Sequence, residues 1–176
     1  MLDHIKAWHE EHAYFRRLLK ILQQEMDALA CGDEADYQRM RDIVLYLREW
    51  GDECHHPRED EAFRRIAKLR PERSLAIARL KQEHRVIAHA GERLEHILDG
   101  VEAGEILART EVELAVATFL LYYGNHISRE EEDVLPLAAT LLTPKDWDEI
   151  TKAAPAKQLV PTERFRELRH RIAAGD

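Results

Sequence analysis

His55 and Glu59 stand four residues apart, and so do His126 and Glu130, in a chain that otherwise reads as helices. On an α-helix this spacing puts an imidazole and a carboxylate on one face, about 6 Å apart along the axis, where they can share one metal ion or two adjacent ions. The layout is doubled. His12 lies 72 positions before His84 and His55 lies 71 before His126, so each half of the chain carries a lone histidine followed by a His-x-x-x-Glu pair.

The apolar residues supply the frame. Ile5, Trp8, His12, Phe15, Leu19, Leu22, Met26 and Leu29 step by three and four, the rhythm of a bundle seam, with His12 in a core slot. After a stop at Cys31-Gly32 a second stripe carries Met40, Val44, Leu47, Gly51, His55, Glu59, Ala62 and Ile66. Pro57 inside it removes a backbone donor and is expected to kink the helix beside the pair. Ile77, Leu80, His84, Ile87, Gly91, Leu94 and Leu98 mark a third helix that ends between Gly100 and Gly104. A fourth begins near Thr110 with Val112, Val116, Phe119, Tyr123, His126, Glu130 and Val134, and is expected to break at Pro136. Thr143-Pro144 and Pro161-Thr162 open two shorter helices, the second reaching about Ile172 with Phe165, Leu168 and Ile172 on one face.

The spacing therefore predicts an all-α fold: an up-down-up-down four-helix bundle over residues 1–140, with a helical extension over 141–176 that packs on the bundle or on a partner. The arms match. His12 to the first turn and that turn to His55 are each about twenty residues, and Glu59 to the second turn and on to His84 about ten to twelve each, so at 1.5 Å per residue the six side chains meet at one level.

A chain of 176 residues can bury one core. Its net charge of −8 argues against nucleic-acid partners, which need a basic footprint. Cys31 and Cys54 belong to no metal or redox motif. The start is too polar for a secretory signal, and the apolar run from Leu114 to Tyr123 is too short for a bilayer, so a cytoplasmic protein without a membrane partner is expected.

One histidine on an apolar stripe is most often a satisfied core residue. Six polar groups at one height are different: burying two carboxylates and four imidazoles without a cation costs several kcal/mol per unpaired charge, or forces protons onto the carboxylates. His4, His9, His56, His89, His96 and His170 fall off the stripes and are assigned to the surface or the surroundings of the site. His9 and His56 lie within a turn of a candidate. Arg58 and Arg129, at matching places in the repeat, are expected to pair with the acids at 59–61 and 130–133. Mixed imidazole and carboxylate donors suit iron, zinc or manganese; two carboxylates bracketed by four histidines suit a dinuclear centre, iron first. Ferritin-like bundles need Glu-x-x-His on two helices; Glu53-x-x-His56 fits that pattern, but the fourth helix offers no counterpart.

His12 in a Glu-Glu-His context, His55-His-Pro-Arg-Glu59-Asp-Glu, Gln-Glu-His84 and His126-x-x-x-Glu130-Glu-Glu-Asp-Val-Leu-Pro136 together resemble the hemerythrin family, in its bacterial HHE cation-binding branch, over about residues 3–138. The resemblance implies two iron ions joined by an oxo or hydroxo bridge, held by His12, His55, Glu59, His84, His126 and Glu130, with zinc or manganese as alternative metals. It implies O2 or NO as the small ligand, a redox partner, and a monomer or homodimer. Trp8, Phe15, Phe119 and Tyr123 would wall the pocket, and Tyr123 could hydrogen-bond a ligand on iron. The chain departs from the oxygen carriers in having Ala88 four residues after His84 where they carry a second histidine, and His-x-x-x-Glu where they carry His-x-x-x-x-Asp. One iron is then a ligand short unless His89, His9, His56 or water completes it. The reading that follows is a protein that binds O2 or NO, or senses oxygen, iron or redox state, rather than an enzyme. Its alternatives are a ferroxidase, a peroxide-consuming or iron-donating repair protein, and a zinc-stabilised or metal-free interaction bundle.

Overall fold

The computed structural model describes residues 2–153 and 163–174, and every regular element among them is helical. The first rod is α1 (Leu2–Cys31). The second is α2 (Tyr37–Tyr46), which runs through a π-helical stretch, Leu47–His55, into α3 (His56–Leu69). A 3₁₀ turn at Pro71–Arg73 leads to the third rod, α4 (Ser74–Glu102). The fourth is α5 (Arg109–Arg129), a second π stretch Glu130–Val134, and α6 (Leu135–Leu141). Two short helices follow, α7 (Pro144–Thr151) and α8 (Glu163–Ala174). No described helix is long and apolar enough to cross a membrane.

Local chemistry sets the ends. Gly32 and Gly104 take positive φ (83° and 81°) just past α1 and α4. There Asp33 N–H reaches Ala28 O and Glu105 N–H reaches Gly100 O, each at 2.9 Å, which closes the helix with paired carbonyls. Asp36 caps α2 by accepting from Arg39 N–H, and Thr143 with Asp146 forms a reciprocal capping box on α7.

The fourth rod does not break at Pro136; it continues to Leu141. Proline lacks a donor and its ring collides with the carbonyl four residues back, and both rods meet this in the same way. The residue before each proline donates five residues back, His56 N–H to Gly51 O and Leu135 N–H to Glu130 O. The disturbance expected at Pro57 is thus a widened turn, which inserts a residue and shifts the phase of everything around it.

The six candidate residues divide the interior. One apolar group holds Phe15, Leu22, Met40, Leu47, Ile87, Leu94, Val116 and Phe119; the other holds Trp8, Phe63, Ile66, Leu80, Val134, Leu135 and Trp147. On every rod the polar residues fall between the two groups, as His12 falls between Trp8 and Phe15 and His84 between Leu80 and Ile87. The order of the two groups reverses from each rod to the next.

The extension sits on its own chain. Trp147 and Ile150 of α7 join the second group, with Trp147 edge-on to Trp8 at 5.2 Å. Leu168 and Ile172 of α8 are buried in the first, where Arg171 donates to both oxygens of buried Asp42 at 2.7 and 2.8 Å, and Arg169 stacks over Tyr14. Pro161, Thr162 and the Phe165 side chain lie outside the described residues.

Candidate metal centre

All six sequence-selected residues, His12, His55, Glu59, His84, His126 and Glu130, are buried and face one another between the rods. Glu59 Oε1 lies 2.8 Å from His55 Nε2 and 3.3 Å from His12 Nε2. Glu130 Oε1 lies 3.1 Å from His126 Nε2 and 3.6 Å from His84 Nε2, while Glu130 Oε2 is 3.6 Å from His12 Nε2. The two carboxylates stand between two groups of imidazoles.

A seventh residue joins them. Donor atoms of His12, His55, Glu59 and Glu130 lie within 4.8 Å of one another, and so do those of His56, Glu59, His84 and His126. His56, assigned from its spacing to the surface or surroundings, is 5% exposed and stacks on His84 at 4.2 Å. Its inward position excludes the surface alternative and has a backbone cause: the π stretch ending at His55 turns less per residue than an α-helix, so His55 and His56 both point inward. His89 does not approach the cluster; its side chain is 83% exposed beside Glu92. His9 is half exposed and reaches Glu131.

Each clustered histidine is braced from outside by a carboxylate on its Nδ1. Glu11 holds His55 (2.8 Å), Asp60 holds His84 (3.1 Å), Glu83 holds His126 (3.2 Å) and Glu131 holds His12 (3.2 Å). These four contacts run from the first rod to the second, second to third, third to fourth and fourth to first, a closed circle around the centre. His56 is braced within its own rod by Asp52 at 3.2 Å. Behind the circle each carboxylate carries a cation: Arg58 on Glu11, Lys81 on Asp60, Arg129 on Glu83 and Arg16 on Glu131. Arg58 and Arg129 therefore pair with the acids preceding His12 and His84, not with the acids downstream in their own helices. The chain direction explains this, since each arginine sits one turn past a histidine and shares that histidine's brace.

With Nδ1–H given to a carboxylate, Nε2 keeps its lone pair and aims it inward. Nε2 of His56, His84 and His126, Oε2 of Glu59 and both oxygens of Glu130 are buried without a hydrogen-bond partner. Electron-pair donors crowded onto one buried space fit a cation there. In the metal-free chain protons take that part. Burial pushes the His55 and His84 imidazoles down, but the carboxylates around them outweigh it and hold His55 at about 9 and His84 at about 11. Burial likewise raises the Glu59 carboxyl, and His55, His12 and His84 override it to keep Glu59 ionised. His56 goes the other way, to about 3, through burial and then the charge on His84, and so stays neutral.

The walls are aromatic. Phe15 meets His55 at 5.0 Å, Phe63 stacks near His84 at 5.7 Å, and Trp8 lies 6.4 Å from His55. Phe119 touches Tyr123 rather than a histidine of the cluster. The Tyr123 hydroxyl is buried without a partner against Gly51, where a Cβ would stand 2.5 Å from it, so the close approach requires glycine. Solvent touches the cluster mainly at His84 and His56, 7% and 5% exposed against 0–1% for the other five. A surface cavity of about 280 Å³ opens there, lined by Asp52, His56, Asp60, His84, Arg85 and Ala88.

The model of the hemerythrin HHE cation-binding domain matches residues 3–138. No curated protein and no solved structure matches the chain.

Proposed function

The chain belongs to the hemerythrin HHE cation-binding family, and from that premise we propose that it is a non-haem di-iron protein that takes up O2 or NO, or senses oxygen, iron or redox state. In this reading an up-down-up-down bundle would hold one iron with His12 and His55 and the other with His84 and His126, and Glu59 and Glu130 would give their carboxylates to the pair. The alternating order of the two apolar groups along successive rods supports that topology. One observation carries the proposal: the braces on every clustered Nδ1 leave Nε2 lone pairs and unpartnered carboxylate oxygens converging on one buried space.

When bound, a ferrous pair supplies two reducing equivalents and a coordination position for a diatomic ligand. The protein's own residues do the rest. Glu59 and Glu130 bring two negative charges to balance the ions, and the imidazoles add none once their protons are displaced. The outer carboxylates fix ring orientation and raise the basicity of the inward nitrogens. Trp8, Phe15 and Phe63 keep water from the buried side, so access is confined to the cavity over His56 and His84. Imidazole mixed with carboxylate suits iron, with zinc or manganese as competitors. We place the protein in the cytoplasm, as a monomer or homodimer served by a separate redox partner.

The test is iron analysis of protein purified without chelators, joined to an anaerobic-to-aerobic ultraviolet–visible difference spectrum. Two irons per chain and an oxo-bridge absorption that reverses on removing oxygen are expected. Iron well below one atom per chain sinks the proposal in favour of a zinc-stabilised or metal-free bundle. A centre that stays diferric after oxygen is withdrawn assigns the chain to the ferroxidase alternative.

A further inference from the structure

We propose that His56 is a metal donor in its own right, which makes the two positions unequal: three imidazoles, His56, His84 and His126, surround one, and two, His12 and His55, the other. The inference rests on the two-metal reading above and deepens it.

Four observations converge on His56. Its donor nitrogen belongs to the same close group as those of Glu59, His84 and His126. Its Nε2 is buried and unpartnered in a side chain 6% exposed, and a buried imidazole nitrogen without a partner is costly unless something else satisfies it. Its Nδ1 is braced by Asp52, the same treatment the other four histidines receive. The ring is also held in place: it stacks on His84 with 13° between planes, stands edge-on to His126 at 5.8 Å, and has Tyr123 at 5.9 Å on a further side.

The halves of the repeat differ at this point. The residue after His55 is His56, and the residue after His126 is Ile127, buried in the apolar core with no donor to offer. The π stretches differ too. The first ends at His55 and so places its extra residue before the pair; the second begins at Glu130, after His126, and leaves Ile127 in α-helical phase. The asymmetry is thus built into backbone and side chain together.

The experiment loads the full-length apo-protein anaerobically with Fe(II), and separately with Co(II), and counts ions by equilibrium dialysis. Wild type is expected to take two per chain, and His56→Ala one tight ion and a second at least about tenfold weaker, by the scale of effects seen around metal sites. Free imidazole, which the cavity over position 56 admits, is expected to restore the second ion in His56→Ala. Circular dichroism establishes folding. Should His56→Ala not fold, Asp52→Asn, which leaves the ring but alters its brace, is expected to weaken one ion by about 10–100-fold and spare the other. Two ions held with wild-type affinity in the folded variants overturn the role of His56 and leave the two-metal reading intact. A wild-type chain that binds no metal overturns both.

Discussion

The carboxylate of Glu11 lies 2.8 Å from Nδ1 of His55, the residue it serves across two rods, and the same carboxylate accepts from Arg58 at 2.8 Å and from the Trp50 indole at 3.3 Å. Burial raises its acid, but the hydrogen bond and charge of His55, and then Arg58, hold it well down, to about 2. Glu11 is thus an anchored anion whose task is to aim His55. Replacing it by glutamine keeps shape and removes charge, so metal affinity at the His12/His55 position should fall by about 10–100-fold while helix content is unchanged. Glu83→Gln, its counterpart on His126, should do the same at the other position. Competition against a coloured chelator reads both.

Glu59 and Glu130 touch both imidazole groups, so each should matter to both ions. Glu59→Ala or Glu130→Ala should lose iron and abolish oxo-bridge absorption, whereas His96→Ala, a change on the outer side of α4, should leave both as in wild type. Equal iron in the three variants, measured together, would remove the assignment of the two glutamates as donors.

The stripes located the six predicted residues because a step of three and four keeps its phase as long as the backbone stays α-helical. His56 was hidden because that condition fails over Leu47–His55. The signal was present in another form: a proline set inside a long unbroken stripe, at Pro57 and again at Pro136, marks a widened turn when the apolar pattern continues beyond it. The braces were legible in principle, since Glu11, Asp60, Glu83 and Glu131 each adjoin a cluster residue. Their partners were not, because each pairing crosses between rods and depends on which rods are neighbours.

Gly51 meets the Tyr123 hydroxyl at a distance no side chain tolerates: a Cβ there would lie 2.5 Å from the oxygen. Gly51→Ala should therefore destabilise the fold by about 1–3 kcal/mol, the usual cost of overpacking. Removing the oxygen with Tyr123→Phe should recover much of that loss. A urea-melt cycle over both singles and the double checks the coupling, and additive losses would show that the clash relaxes elsewhere.

Asp42 is buried on α2, and Arg171 of α8 donates two hydrogen bonds to it. Arg171→Ala strips a buried carboxylate of its cation; the cost of breaking a buried pair is about 3–5 kcal/mol, reduced here because the Arg171 side chain is 54% exposed, to roughly 1–3 kcal/mol. The loss should be accompanied by earlier proteolysis within α8 than in wild type. Asp42→Asn combined with Arg171→Ala should lose less than Arg171→Ala alone, since no charge is then left in the core.

Ala88 lies one turn beyond His84 and lines the cavity that reaches the cluster where it is most exposed. Its neighbours there, Asp52 and Asp60, already hold His56 and His84, so enlarging them would disturb the centre itself. The Ala88 methyl offers no hydrogen bond to any of these groups, so the opening can be narrowed there without removing a brace. Ala88→Phe should slow both uptake of Fe(II) by the apo-protein and extraction of metal by a chelator, with the final number of ions unchanged. Stopped-flow uptake traces with matching endpoints and a reduced rate are the expected result. Unaltered rates would mean that ions pass between the rods elsewhere, through transient opening of the bundle rather than over His84.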